Sequence, residues 1–325
     1  MTKLNQEQSY YDRMSNAKND KLRILDYIEP GMHVLDYGAG TADIEKHIVD
    51  AGAKYTALDS DPAIQTLLKA KNIDVIDTED ILINNTKYDI IYLSSVVHEM
   101  YSQNLYNDHS FMPESKVDQY IFQHLMSRLK PNGLLIIRDW VDYGYNTTNK
   151  KDHILKLEPS IAEEFYYFYD ELTKEQRKMN YFRRISSLDD KYDPRTGKIT
   201  RYPTIYRGSM GAIYEAMYHH NWGPQSFERE SKELYGHLNV ELIYEMARFF
   251  TKDVVSAETY FDEDYRQYLS KKYKLFNKHG QYVDYPHTKL FAVLKNKKGN
   301  ANLSMLDYRR NKEKNKETRS IDYDN

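Results

Sequence analysis

The chain has 325 residues, a formal net charge of −3 and no cysteine. That length supports a full hydrophobic core with one sizeable insertion. The lack of cysteine excludes disulfides, zinc–thiolate sites and a cysteine nucleophile, and fits a reducing compartment. No run of about 18 apolar residues is present to span a membrane, and the start, MTKLNQEQSYY, lacks the apolar core of a secretory signal. A cytoplasmic protein without a membrane partner is expected.

The charge is segregated. Residues 177–207 carry nine Lys/Arg against three acids, and residues 295–325 carry nine against five. Uneven charge of this kind marks a surface for an anionic partner. The first basic stretch interleaves Arg177, Lys178, Arg183, Arg184, Arg201 and Arg207 with Tyr181, Phe182, Tyr192, Tyr202 and Tyr206. Phosphate contacts combined with aromatic stacking are how single-stranded nucleic acid is held. The alternative is a solvated face on a lysine-rich protein. The chain also has 31 tyrosines, a bias expected of an AT-rich coding sequence.

Taken in order, residues 5–29 read as helical, with Leu22, Ile24, Leu25 and Ile28 as an apolar stripe closed by Pro30-Gly31. A strand over 33–37 ends in Asp36-Tyr37-Gly38-Ala39-Gly40-Thr41, and a helix is predicted over 42–51 with Thr41 as its cap. Gly38 and Gly40 allow positive φ and a close approach of ligand to backbone. A second strand, 54–59, ends in Asp59, about 20 residues on, where an open α/β sheet sets an acid against ribose hydroxyls. Pro62 starts the next helix. Strands follow at 73–77 and 88–95, then a helix over 117–129, a Pro131-Asn132-Gly133 turn and a strand over 134–137 that leads into Arg138-Asp139-Trp140.

The alternation is then interrupted. An amphipathic helix over 240–250 and strands over 254–261 and 289–294 complete the sheet only if residues 141–236 form an insertion. So long a structureless loop is rare in a compact domain. The segments 161–172 and 210–220 read as helices, so a helical insertion is expected. A shorter insertion lies at 262–287, and the polar tail beyond 297 is expected to be disordered. His219 and His220 are adjacent and diverge on a helix, with no carboxylate at ligand spacing, so no metal is expected.

Four stretches in order, VLDYGAGTAD (34–43), YTALDSDP (55–62), YDIIYLSSVVHEM (88–100) and LKPNGLLIIRDW (129–140), resemble those of class I S-adenosylmethionine-dependent methyltransferases. One departure is Ala42, where many members have a third glycine. The resemblance implies an α/β fold: a seven-stranded, mostly parallel, doubly wound sheet with the helical insertion after strand five. It implies S-adenosylmethionine as cofactor, held by Asp36, Gly38, Gly40 and Asp59. Asp77, or Asp80 in its place, would meet the adenine amine, Ser94 would line the cleft, and Arg13 on an N-terminal lid would meet the methionine carboxylate. His98-Glu99 resembles the His-acid pair of plant phenol O-methyltransferases, which makes His98 the candidate general base for a hydroxyl acceptor, with Glu99 as its orienting partner.

The expected organisation is a lid (1–30), a cofactor-binding core (31–140), an acceptor-recognition insertion (141–236), the rest of the core sheet (237–296) and the tail (297–325). The expected reaction is methyl transfer to a small-molecule or nucleotide-like acceptor. The alternatives are an RNA-directed methyltransferase and a non-catalytic cofactor-binding subunit.

Overall fold

The structure is a computed structural model. It describes residues 18–78, 81, 85–107, 117–118, 120–142, 153–178, 185–188, 191–193, 195–196, 198–223, 226, 230–236, 238–250, 252–261, 263–285 and 287–297. Arg13, Asp80, Arg183, Arg184 and the expected tail beyond 297 lie outside the described residues.

The strands are β1 (His33–Tyr37), β2 (Lys54–Leu58), β3 (Val75–Ile76), β4 (Tyr88–Ser94), β5 (Leu129–Trp140), β6 (His153–Leu157), β7 (Ile185–Ser187), β8 (Lys191–Asp193), β9 (Lys198–Arg201), β10 (Ile205–Gly208), β11 (Asp253–Tyr260), β12 (Tyr273–Asn277) and β13 (Lys289–Lys295). The helices are α1 (Glu45–Asp50), α2 (Pro62–Ala70), α3 (Val97–Asn107), α4 (Ala162–Lys178), α5 (Met210–Trp222), α6 (Val240–Phe249) and α7 (Glu263–Ser270). A short helix, Lys18–Lys21, runs into a 3-10 turn, Leu22–Tyr27, over the expected N-terminal stripe.

The main sheet has seven strands in the order β11-β13-β5-β4-β1-β2-β3. The β1–β2, β2–β3, β1–β4 and β4–β5 pairs are parallel, and β13 lies antiparallel between β5 and β11. The strand order reverses at β1, which opens a crevice beyond the carboxyl ends of β1 and β4.

Both faces of this sheet are buried, and the alternation of side chains builds them. Leu35, Ile91, Leu93, Leu135, Ile137, Leu290, Ala292 and Leu294 pack one face against Phe122, Ile243 and Met246. Their neighbours Val34, Ile90, Tyr92, Ile136, Phe291 and Val293 pack the other against Ile24, Ile48 and Leu68. Each fully buried aliphatic side chain contributes about 1.5–3 kcal/mol, so a one-residue slip of a central strand would lose both cores at once.

The insertion departs from expectation. It keeps two helices, α4 and α5, but beside them stands a four-stranded antiparallel sheet, β12-β6-β10-β7, with a β8–β9 hairpin. The helical insertion is therefore corrected to a mixed one, and the second, shorter insertion supplies its edge strand β12. Its core is rich in tyrosine: Tyr206, Tyr214, Tyr218, Tyr235, Tyr273 and Tyr285 are buried around Trp140, Phe165 and Met217. Part of the tyrosine bias is thus core packing.

Two further differences have local causes. The helix after the glycine turn starts at Glu45, later than expected, because Ala42 takes a left-handed φ of 58° that a helix cannot include. Thr41 is not its cap; its hydroxyl donates to Asp43 Oδ1 at 2.6 Å, and Ile44 holds the cap position without a side-chain bond. Strand β5 begins earlier than expected and runs through Pro131-Asn132-Gly133 as an irregularity, with Asn132 at φ 66° and a register shift opposite Tyr88–Ile90. Among the described residues, no helix is long and apolar enough to cross a membrane.

Candidate active site

The crevice at the strand-order reversal is a cleft of about 450 Å³, within the size range of small-ligand sites. Its walls are Lys21 from the N-terminal turn, Tyr37 to Thr41 and Asp43 after β1, Leu58 to Asp61 after β2, Ile64, Thr78, and Ser94, Ser95, Val96, Glu99 and Met100 after β4.

The floor is the glycine turn. Gly38 has φ 75°, and a Cβ there would lie 2.6 Å from Val96 Cγ2, so this glycine lets the turn pack on the start of α3. Gly40 has φ 53° and nothing within 4 Å of the place its Cβ would occupy, which leaves open space beside the cleft. The amides of Gly38 and Ala39 donate to Leu58 O at 2.8 and 3.0 Å, which fixes the turn on β2.

Asp59 lies in the cleft as expected. Its Oδ2 accepts from Gly40 N at 2.9 Å and its Oδ1 from Asp61 N at 3.0 Å. Each carboxylate oxygen can accept twice, so capacity remains for ligand hydroxyls. Ser94 also lines the cleft, within 3.4 Å of Arg138 Nη1. Two expected cofactor residues do not line it. Asp77 is exposed at its edge and accepts from Thr78 Oγ1 at 3.0 Å, and it is Thr78 that reaches the wall. Asp36 is buried beneath the turn, where Tyr55 Oη donates to it at 2.7 Å. Burial pushes its carboxyl up to about 6. Its place is structural support, because β1 carries it under the glycines and not over them.

Lys21 was not singled out from sequence. Its ammonium lies 3.3 Å from Asp43 Oδ2 at the cleft wall, a position open to an anionic ligand group. Arg138 and Asp139, adjacent at the end of β5, take different partners. Arg138 is 1% exposed; it salt-bridges Asp20 through Nε at 2.5 Å and donates to Ser95 Oγ at 2.8 Å. It therefore ties the N-terminal turn to the Ser94–Ser95 wall.

His98 is 4% exposed and does not line the cleft. Its Nδ1 lies 2.7 Å from Asp139 Oδ1 and its Nε2 3.5 Å from Glu233 Oε2. Asp139 also accepts from the amides of Val97 and His98 at 2.7 and 3.2 Å and from Trp140 N at 2.7 Å. Burial works against the charged imidazole, but the Asp139 and Glu233 carboxylates outweigh it and hold the His98 pKa well above its ordinary value. Burial would raise Asp139, yet the His98 charge and hydrogen bond keep it low. Both ring nitrogens therefore face carboxylates that favour the charged form, an environment unlike that of the neutral general base expected. Its expected partner Glu99 lines the cleft, with a carboxylate oxygen within 4.8 Å of a His98 ring nitrogen.

Glu233 had no sequence signal beyond lying in a segment near the cleft. Ser102 Oγ accepts from Leu234 N at 2.8 Å, which with the His98–Glu233 contact joins α3 to residues 233–235 in two places. His219 adjoins this group through the Glu233 backbone, whereas His220 meets a tyrosine of the insertion core. His219 Nδ1 and Nε2 meet Glu215 O and Glu233 O at 2.6 and 2.9 Å, and His220 Nδ1 meets Tyr273 Oη at 2.5 Å. One His/carboxylate group among the described residues has metal-compatible spacing, His98, Glu99 and Glu233.

A family model described as "Methyltransferase domain" matches residues 10–188. No curated protein matches the chain. Similar solved structures include a SAM-dependent methyltransferase from Methanosarcina mazei at 9% identity, covering 84% of this chain and 96% of that one with a TM-score of 0.42. Another, a SAM-dependent methyltransferase from Archaeoglobus fulgidus, has 11% identity, 86% and 94% coverage and a TM-score of 0.41. The glycopeptide N-methyltransferase MtfA complexed with S-adenosyl-L-methionine has 9% identity, 85% coverage of each chain and a TM-score of 0.38. With the family model spanning more than half of its length and its sheet in the order β3-β2-β1-β4-β5-β13-β11, the chain belongs to the methyltransferase-domain family and is a class I, S-adenosylmethionine-dependent methyltransferase.

Proposed function

We propose that the chain moves a methyl group from S-adenosylmethionine, bound in the β1–β4 cleft, to a small or nucleotide-like acceptor that enters at the Ser94–Met100 wall. The observation that carries this is the cleft itself: the open space at Gly40, the Asp59 carboxylate and the Glu99 carboxylate share one cavity. These residues fit the cofactor. Asp59 would accept from its ribose hydroxyls, the Gly38–Gly40 backbone leaves it room, and Lys21 would meet its carboxylate.

When bound, the cofactor supplies an activated methyl group on a sulfonium with a neutral leaving group. The protein's part is to hold the acceptor in line and, for a protonated acceptor, to remove a proton. Glu99 is the carboxylate on the acceptor side of the cleft, so it takes that proton. The Asp139–His98–Glu233 arrangement fixes the first turn of α3, from which Glu99 projects, and so acts by positioning. Incubation with methyl-labelled S-adenosylmethionine and a fractionated cell extract tests the reading. Label in a small-molecule fraction supports it; label confined to protein contradicts it.

A further inference from the structure

The four strands of the insertion sheet, HILKL, ISS, IYRG and YKLFN, contain three Lys/Arg and no Asp or Glu. Their alternation is clear. Leu155, Leu157, Tyr206, Tyr273 and Leu275 face the insertion core, while Lys156, Arg207 and Lys274 stand exposed on the other face. In register, Lys156 lies directly opposite Lys274, and Arg207 lies opposite Ile154, which in turn lies opposite Phe276. Like charges directly opposite destabilise a sheet. Lys274 is within 3.5 Å of Glu158, but no carboxylate among the described residues pairs with Lys156 or Arg207. At the same edge, Tyr282 is 61% exposed with its ring 6.1 Å from that of Phe276.

We propose that this outer face binds single-stranded nucleic acid, with Lys156, Arg207 and Lys274 on phosphates and Tyr282 stacking a base. The cations supply charge complementarity to a polyanion, and the flat aromatic edge selects unpaired bases over a closed duplex. The surface shares no residue with the lining of the cofactor cleft, so its assignment does not depend on the acceptor reading above.

Fluorescence anisotropy of the full chain with a labelled uridine oligomer of ~15 nucleotides tests this. Binding should weaken with salt, with a log–log slope of about −2, near −0.7 per phosphate contact. Lys156→Gln with Arg207→Gln should bring the slope to about −0.7 and weaken binding at low salt. Tyr282→Ala should lose about tenfold in affinity with the slope unchanged, since stacking releases no counterions. S-adenosylhomocysteine affinity should stay at the wild-type value in every variant. No binding, equal binding to duplex RNA, or an unchanged slope in the double variant would overturn the proposal. Loss of S-adenosylhomocysteine affinity together with RNA affinity would place the RNA in the cleft, and would overturn it too.

Discussion

His98 Nδ1 and Asp139 Oδ1 meet at 2.7 Å inside the protein, joining the first turn of α3 to the end of β5. The folded pKa of His98 is raised and that of Asp139 is lowered. The His98 contribution to stability is therefore complete below its unfolded value of about 6.5 and is lost as pH rises through the folded value. The Asp139 contribution is present above about 3.9 and is lost as pH falls through its folded value. Thermal unfolding of the wild type should show an alkaline decline that is missing in His98→Gln, whose Tm is lower at pH 6. Asp139→Asn, which strands the other partner, should cost about 3–5 kcal/mol. Superimposable pH profiles for wild type and His98→Gln would remove the imidazolium.

Glu99 should behave as the proton acceptor. Glu99→Gln is expected to lower kcat by about 10²–10⁴ while S-adenosylhomocysteine affinity stays within a fewfold of wild type. Turnover near the wild-type rate would mean that the acceptor needs only positioning.

Asp36 makes a stability prediction. Its carboxyl, at about 6, is raised by burial, so it destabilises the fold as pH rises from the ordinary carboxylate range to above 6. Asp36→Asn keeps an acceptor for Tyr55 Oη without the buried charge. Denaturant titration at pH 7.5 should find it more stable than wild type, by about 1–2 kcal/mol of the roughly 3 kcal/mol at stake. Lower stability would mean that Asp36 has a partner worth more than its desolvation.

The two glycines separate packing from binding. Gly38→Ala adds a Cβ 2.6 Å from Val96 Cγ2 at a left-handed φ, and should cost about 2–4 kcal/mol. Gly40→Ala meets no protein atom within 4 Å, so its loss of stability should be smaller, with its effect falling on S-adenosylhomocysteine affinity. Chemical denaturation and calorimetry on both variants check the contrast, and equal effects would contradict it.

Much of this was legible in the chain because the signals are local. The runs around Leu35, Ile91 and Ile136 give strands, and Gly38, Gly40 and Asp59 mark the turn and the acid whose spacing sets the cleft. The insertion sheet was not legible, because β6, β7 and β10 are three to five residues long and β6 pairs with β12, which comes from a separate segment further along the chain. Asp36 and Asp59 both end apolar runs, so their sequence patterns are alike; only the path of the turn puts one beneath the glycines and the other in the cleft. The surroundings of His98 depended on Asp139 and Glu233, 41 and 135 residues away, and no local pattern carries those contacts.

The central claim is that the β1–β4 cleft is the cofactor site. Isothermal titration of S-adenosylhomocysteine into wild type and Asp59→Ala tests it most directly. A hydrogen bond to a charged acceptor is worth about 1.5–3 kcal/mol. Wild type should therefore bind with one-to-one stoichiometry, and Asp59→Ala should bind at least about tenfold more weakly. No binding by wild type, or equal affinity in the two proteins, would contradict the account.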